Sequence, residues 1–306
     1  MPEPQILLCG ATGALGGAIA SRLQARGIPF RALIRPGRSA AAPAGFGIEQ
    51  VVGDLRDPAS LRGAVAGVGT VISTANAISR ALAGEGDLSI RDVDDRGYAN
   101  LIAACEQAGV ERFLFASMLG DFGAARTPFT DAKLATERRL RASRLREVIV
   151  RPDLFQEVWL SPAVGFDWPH GKVTVYGRGE SAHAYIGIDD VAEAMVRLAL
   201  AEDPPRIVEM GGPAALSPND AVAAFERVLG TPIKTSHVPR VMMRIGRTVM
   251  RRVKPVTASL MGMALASDLA PTTVRDEALR ELGIDARPVL RYIDQAAAAW
   301  GVAAAA

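Results

Sequence analysis

Three glycines spaced three apart, Gly10, Gly13 and Gly16, follow the apolar run Gln5–Cys9 and open a helical pattern over residues 14–26. A chain that turns sharply, lays its backbone against a pyrophosphate and packs a helix closely on a strand needs glycine at such points. A Cβ would obstruct each of the three. The first turn of the helix then offers unpaired N–H groups and a positive dipole end to phosphate oxygens. The spacing is Gly-x-x-Gly-x-x-Gly, and its setting between strand and helix marks a dinucleotide-binding turn rather than a mere strand end.

The second strand bears on which dinucleotide. A site for an unphosphorylated ribose places a carboxylate at the end of that strand, where it accepts from the hydroxyls and repels a 2′-phosphate. Here no acid stands between Gly17 and Ile48, whereas Arg31, Arg35 and Arg38 do, with Arg35 directly after Phe30–Ile34. Guanidinium groups fork onto phosphate, so NADP(H) is the expected cofactor. Asp54, in Gly53-Asp54-Leu55, is placed to accept from an adenine amino group.

The elements that must position these residues alternate along the first half. Strand-like runs fall at Gln5–Cys9, Phe30–Ile34, Ile48–Val52, 70–73, Arg112–Ala116 and 147–150, with helical patterns at 14–26, 58–66 and 98–107. Thr127-Pro128 reads as an N-cap with proline in the first turn, opening a helix to about Ser143. This alternation predicts a parallel sheet covered on both faces. After Arg151-Pro152 the chain turns to Pro, Gly and aromatic residues over 161–182, with a short hairpin near Lys172–Tyr176. A helix over 191–201 and a strand near 206–210 follow, and then a mainly helical remainder.

The combined motifs resemble the NmrA-like branch of the atypical short-chain dehydrogenases/reductases. They are the Gly-Ala-Thr-Gly-x-x-Gly turn, Arg31-Ala-Leu-Ile-Arg35, Gly53-Asp-Leu-Arg-Asp57, Asp95-x-Gly-Tyr-Ala-Asn100, the run from Ala108 to Ser117, Arg151-Pro-Asp-Leu-Phe-Gln156 and Ile188-Asp-Asp-Val-Ala-Glu-Ala194. The resemblance implies a doubly wound parallel Rossmann sheet of order 3-2-1-4-5-6-7, its seventh strand coming from near 206–210. The expected division is an NADP-binding domain over 1–160, rejoined by 183–212, and a smaller, mainly helical C-terminal substrate cap from 213–306 with 161–182. The implied cofactor set is Gly10, Thr12, Gly13, Ala14, Leu15, Gly16, Arg31, Arg35, Asp54, Leu55, Thr74, Ala75 and Lys133.

In that superfamily a Tyr-x-x-x-Lys helix does the acid–base work and a serine on the preceding strand end orients the substrate oxygen. The resemblance places Ser117 and Lys133 in the serine and lysine roles, but four residues before Lys133 stands Phe129. A benzyl group has no proton to transfer. Three readings stay open: Lys133 is itself the acid/base, its pKa lowered by burial and a cationic nicotinamide; Tyr185, His183 or Tyr176 supplies the proton; or Lys133 only anchors the ribose. The functional expectation is an NADP(H)-dependent reductase of a carbonyl, enone or quinone-like small molecule. The alternative is a non-catalytic NADP(H)-binding regulator, redox sensor or assembly factor.

Composition narrows the remaining classes. With 306 residues, 49% hydrophobic, 22% charged and a net charge of +2, the chain has the make-up of a packed globule and no global argument for nucleic acid. Cys9 and Cys105 lie inside apolar patterns without metal spacing, as reduced buried thiols of a cytoplasmic protein would. No metal site and no Gly-x-Ser-x-Gly elbow is present in the sequence. Residues 239–254 carry six cations and no acid, leaving the rest net negative by four. At helical spacing Arg240, Arg244, Arg247 and Arg251 form one stripe, and Met242, Ile245, Val249 and Val253 lie opposite. A cap helix with its apolar face inward is the expectation; a weak membrane-surface contact, a protein contact or a methionine-lined cleft wall are the other readings.

Overall fold

The computed structural model describes residues 5–38, 45, 48–86, 88–120 and 126–305. Strands β1 (Gln5–Cys9), β2 (Phe30–Ile34), β3 (Ile48–Val52), β4 (Val68–Ser73), β5 (Arg112–Ala116) and β6 (Arg146–Pro152) alternate with helices. The helices are α1 (Ala14–Ala25), α2 (Pro58–Val65), α3 (Ala77–Arg80), α4 (Gly97–Ala108) and α5 (Pro128–Ala142). Wider π-helical turns, Ala81–Glu85 and Arg91–Arg96, follow α3 and lead into α4. After α6 (Gln156–Trp159), strands β7 (Phe166–Asp167) and β8 (Lys172–Tyr176) and helix α7 (Ile188–Leu200), strand β9 (Ile207–Met210) returns to the large sheet. Its order is β3-β2-β1-β4-β5-β6-β9, every pairing parallel, as expected with β9 as the seventh strand.

The two-residue period of the strands divides the core into two layers. Ile6 and Leu8 of β1 face α1 and α7, meeting Ile19, Leu23, Val191 and Met195. Leu7 and Cys9 face α2, α4 and α5, meeting Leu61, Leu101, Ile102 and Leu140. Local chemistry sets the helix starts. Asp57 accepts from the Ala59 N–H before Pro58 of α2, and Thr127 forms a reciprocal capping box with Thr130 before Pro128 of α5. Cys9 and Cys105 are free and buried, and burial pushes both thiols up, Cys105 to about 12.

The later segments form a second, smaller core. β10 (Lys234–Val238), β8 and β7 make a three-stranded sheet, with β7 and β8 antiparallel as the hairpin expectation requires. Trp168 stacks on Phe225 of α8 (Pro218–Leu229) with ring centroids 4.5 Å apart, beside Val289 and Ile293 of α12 (Val289–Ala305). Helices α9 (Arg240–Met250), α10 (Pro255–Leu269) and α11 (Glu277–Glu281) complete the chain. α10 lies against α5, with Val256 and Met263 packed among Ile78, Ile90, Val93 and Phe129.

Helix α9 departs from its expected orientation. Met243 is its one fully buried residue, while Val241, Met242, Ile245 and Val249, with Val253 just beyond the helix, are exposed. Arg240 pairs with Asp268 of α10 and Arg251 with Asp131 of α5, so ion pairs turn the basic side toward the body and the apolar stripe outward. Among the described residues, no helix is long and apolar enough to cross a membrane.

Candidate cofactor and catalytic site

The parallel strands end on one edge, and between β1 and β4 the strand order reverses, opening a crevice for a ligand. Gly10 sits there with φ +94°, and a Cβ on it would come within 2.6 Å of the Thr74 hydroxyl and 2.9 Å of the Ala75 nitrogen. Gly16 packs so closely that a Cβ would lie 2.0 Å from the Gly10 oxygen. Gly13 caps α1 without any side-chain hydrogen bond, so no capping side chain occupies the first-turn N–H groups. Thr74 holds the turn by donating its N–H to the Cys9 oxygen at 3.0 Å. These residues, with Thr12, surround the N-terminus of α1, the kind of helix end that suits an anion.

The arginines divide between two places. Arg35 grips Glu85 bidentately at 2.7 and 2.6 Å, Arg80 donates to the same carboxylate at 3.1 Å, and Arg38 also binds it. Glu85 stands between Gly84 and Gly86, both at positive φ, at the end of the turn that follows α3. Hydrogen bonds from Arg35, Arg38 and Arg80 hold its carboxyl well below the usual range despite partial burial. Arg31, by contrast, donates to the Ala64 and Ala66 oxygens at 2.8 and 2.9 Å and pairs with Glu49. It caps the end of α2 and is not brought to the arginine cluster. Asp54 lies at the edge, its carboxylate gripped by Arg56, and Leu55 packs beneath it against Gly97. Sequence spacing held no sign of Glu85 or Arg80, because α3 and its wide turn bring them in from a separate segment.

Lys133 enters from α5 to the end of β5. Its Nζ donates to the Ala116 oxygen at 2.6 Å and lies 4.5 Å and 5.2 Å from the ring centroids of Phe115 and Phe129. Burial lowers its pKa to about 8, against opposing pulls from the Asp94 and Glu137 carboxylates. Asp94, also buried, accepts the Ala77 N–H on Oδ2 at 3.0 Å, while Oδ1 has no hydrogen-bond partner among the described residues. Burial raises its pKa to about 6, opposed by Lys133. Burial thus shifts both groups toward their neutral forms, and the attraction between their charges opposes both shifts.

The other candidates lie elsewhere. Ser117 Oγ donates inward to Glu137 Oε1 at 2.6 Å, and Glu137 is fully buried between Arg151 and Arg141. In this structure the Ser117 hydroxyl donates into that buried network. His183, Tyr185 and Tyr176 line a cavity of about 50 Å³ in the smaller core, whose lining includes neither Lys133 nor Phe129. Burial pushes the Tyr185 phenol up and the His183 imidazole down, against the attraction of Asp153. Among the described residues no His/Cys/Asp/Glu group has the geometry of a metal site.

This sheet, glycine turn and lysine-bearing helix define an NAD(P)-binding Rossmann protein of the atypical short-chain dehydrogenase/reductase type. A family model described as NAD(P)H-binding matches residues 10–202, well over half of the chain, and the chain belongs to that family. It is 30% identical to the photosystem II assembly factor Ycf39 of Cyanophora paradoxa, over 79% of this chain and 74% of the relative. It is 25% identical to the NAD(P)H azoreductase of Xenophilus azovorans, over 97% and 100%. In fold it is similar to the NADPH-dependent quinone oxidoreductase QOR2 of Escherichia coli complexed with NADPH, with a TM-score of 0.77 and 19% identity over 95% of this chain and 99% of that one.

Proposed function

We propose that the protein is an NADPH-dependent reductase of flat, conjugated acceptors of the quinone class, with Lys133 as the proton-holding group. The observation that carries this is the Lys133 ammonium, buried between two phenyl rings beside Asp94 where a tyrosine would otherwise act. The bound nicotinamide supplies hydride. Gly10, Gly13 and Gly16 would hold its pyrophosphate, and Arg35, Arg38 and Arg80 suit the 2′-phosphate. Lys133 Nζ holds a proton near neutral pH and passes it to the acceptor oxygen.

Phe129 selects among acceptors. Hydride addition to a simple ketone creates a strongly basic alkoxide that needs an acid in the same step. Addition to a quinone creates a phenolate, which is far less basic and can take its proton from a buried ammonium such as Lys133 in place of a phenol. The name of the azoreductase relative, a reductase of another conjugated acceptor, supports the same class.

Steady-state NADPH oxidation with a naphthoquinone, an azo dye and a simple ketone tests this. Turnover is expected on the first two and not on the ketone; tight NADPH binding with no turnover on any of them refutes it. The pH profile adds a second check. Lys133 must be protonated to donate, so kcat is flat below about 8 and falls above it. Asp94→Asn moves that fall to lower pH, because the Asp94 carboxylate is the larger of the two charges that oppose the lowering of the Lys133 pKa. A limb that stays in place in Asp94→Asn removes the pair from the mechanism.

A second reading, a non-catalytic NADPH-binding assembly factor, draws on the outward apolar face of α9 and the Ycf39 relative's name. Pull-downs with NADP⁺, NADPH and no nucleotide separate the two: identical recovery of any partner in all three removes nucleotide control.

A further inference from the structure

Helix α9 is built against the usual economy of a cap helix. Val241, Met242, Ile245, Val249 and Val253 are between 58% and 78% exposed, and four of them exceed every other exposed large hydrophobic among the described residues. At about 100° per residue they fall within roughly 120° of arc. Arg252, in the turn that ends the helix, lies inside that arc, and the exposed Arg244 lies about 60° from its edge on the basic stripe. Arg240 and Arg251 are used to fix the helix to Asp268 and Asp131. Arg244, Arg247, Arg252 and Lys254 have no carboxylate at ion-pair distance among the described residues.

We infer that α9 is an interfacial anchor that seats the protein on an anionic lipid bilayer. An exposed apolar stripe with one cation inside it and others flanking it matches a headgroup boundary, where aliphatic side chains enter the acyl region and arginine and lysine heads reach back to lipid phosphates. A second copy of the chain is a poor occupant, because a two-fold pairing of these faces would set Arg244 and Arg252 against the same cations of the other copy. The ion pairs to Asp268 and Asp131 explain why the apolar side is presented outward. The inference is independent of what the crevice reduces.

Sedimentation of the full chain with vesicles tests it. Binding is expected to phosphatidylcholine vesicles containing about 40% phosphatidylglycerol, with loss of binding in pure phosphatidylcholine or at about 0.5 M salt. Arg244→Gln with Arg252→Gln should weaken binding about 25-fold, at roughly fivefold per cation. Ile245→Asp with Val249→Asp should abolish it while leaving Tm and NADPH affinity unchanged, since both positions are solvent-facing. Failure of the wild type to bind anionic vesicles at low salt overturns the inference, as does undiminished binding of the Asp pair. A wild-type dimer that the Asp pair converts to monomer would assign the stripe to self-association and overturn it too. So would a stable complex with an acidic protein in place of vesicle binding.

Discussion

Lys133→Met should lower the turnover of a quinone acceptor about a thousandfold while leaving the protein folded and more stable at neutral pH. The kinetic part follows from removing a positioned acid, an effect of about 10²- to 10⁴-fold. Methionine keeps most of the side-chain volume and contact with the Phe115 and Phe129 rings, so the loss is not one of packing. The stability part follows from the direction of the pKa shift. Burial lowers the Lys133 pKa to about 8 from 10.5, so the charged form is penalised in the folded state. That penalty is fully present below about 8, shrinks as pH rises, and is gone above the unfolded value. Removing the amine therefore stabilises by up to about 3 kcal/mol near neutrality, less what Asp94 loses with its counter-charge and what the Ala116 oxygen loses with its donor. Thermal melts of the two proteins at neutral pH and near about pH 10, with stopped-flow reduction at saturating NADPH, read both effects. A variant with weaker NADPH binding but unchanged kcat would reduce Lys133 to a ribose anchor. A gain in function-free stability on its loss is what a strained catalytic group gives, and a mere surface lysine does not.

The features legible in the sequence are those set by local spacing. Period-two apolar runs fixed the strands, and a glycine every third residue after the first one marked the turn whose crowding around Gly10 and Gly16 is observed. Phe129 was visible by its place four residues before Lys133. The illegible features are long-range or rotational. Glu85 meets Arg35 across fifty positions, so no window contains both. Arg31 sits in the same motif as Arg35 but earlier on the strand, where the end of α2 receives it. Ser117 stands at its strand end, yet Glu137 and Arg151 decide where its proton goes. In α9 the pattern shows two faces and is silent on which turns inward; Asp268 and Asp131, on other helices, make that choice.

Glu85→Gln should tighten NADPH binding roughly 10- to 100-fold and leave NADH binding unchanged or weaker. In the structure the carboxylate of Glu85 occupies three guanidinium groups, Arg35, Arg38 and Arg80, at the crevice end of β2. A 2′-phosphate seeks the same donors, so it must displace Glu85 and then endure a nearby negative charge. Hydrogen bonds to charged groups are worth about 1.5–3 kcal/mol, and a neutral amide in place of the carboxylate would forfeit the charge-assisted part of that competition. NADH has no 2′-phosphate, and Glu85 can accept from its ribose hydroxyls, so the same change cannot help it. The sign of the pH dependence is fixed by the arginines, which hold the Glu85 carboxyl well below its ordinary range. Its ion-pair stabilisation is present above the ordinary glutamate pKa and lost only as pH falls through the depressed one, so the effect of the variant is constant from about pH 6 to about pH 9. Without nucleotide, Glu85→Gln leaves three cations together, one of them Arg80, already lowered by burial and by Arg35. The variant therefore melts earlier than wild type when free and recovers on adding 2′,5′-ADP. Fluorescence titrations with NADPH, NADH and 2′,5′-ADP measure the ratio. Equal NADPH affinity in variant and wild type would show that the phosphate does not use this cluster, and a loss of NADPH affinity would make Glu85 a brace for the arginines rather than their competitor.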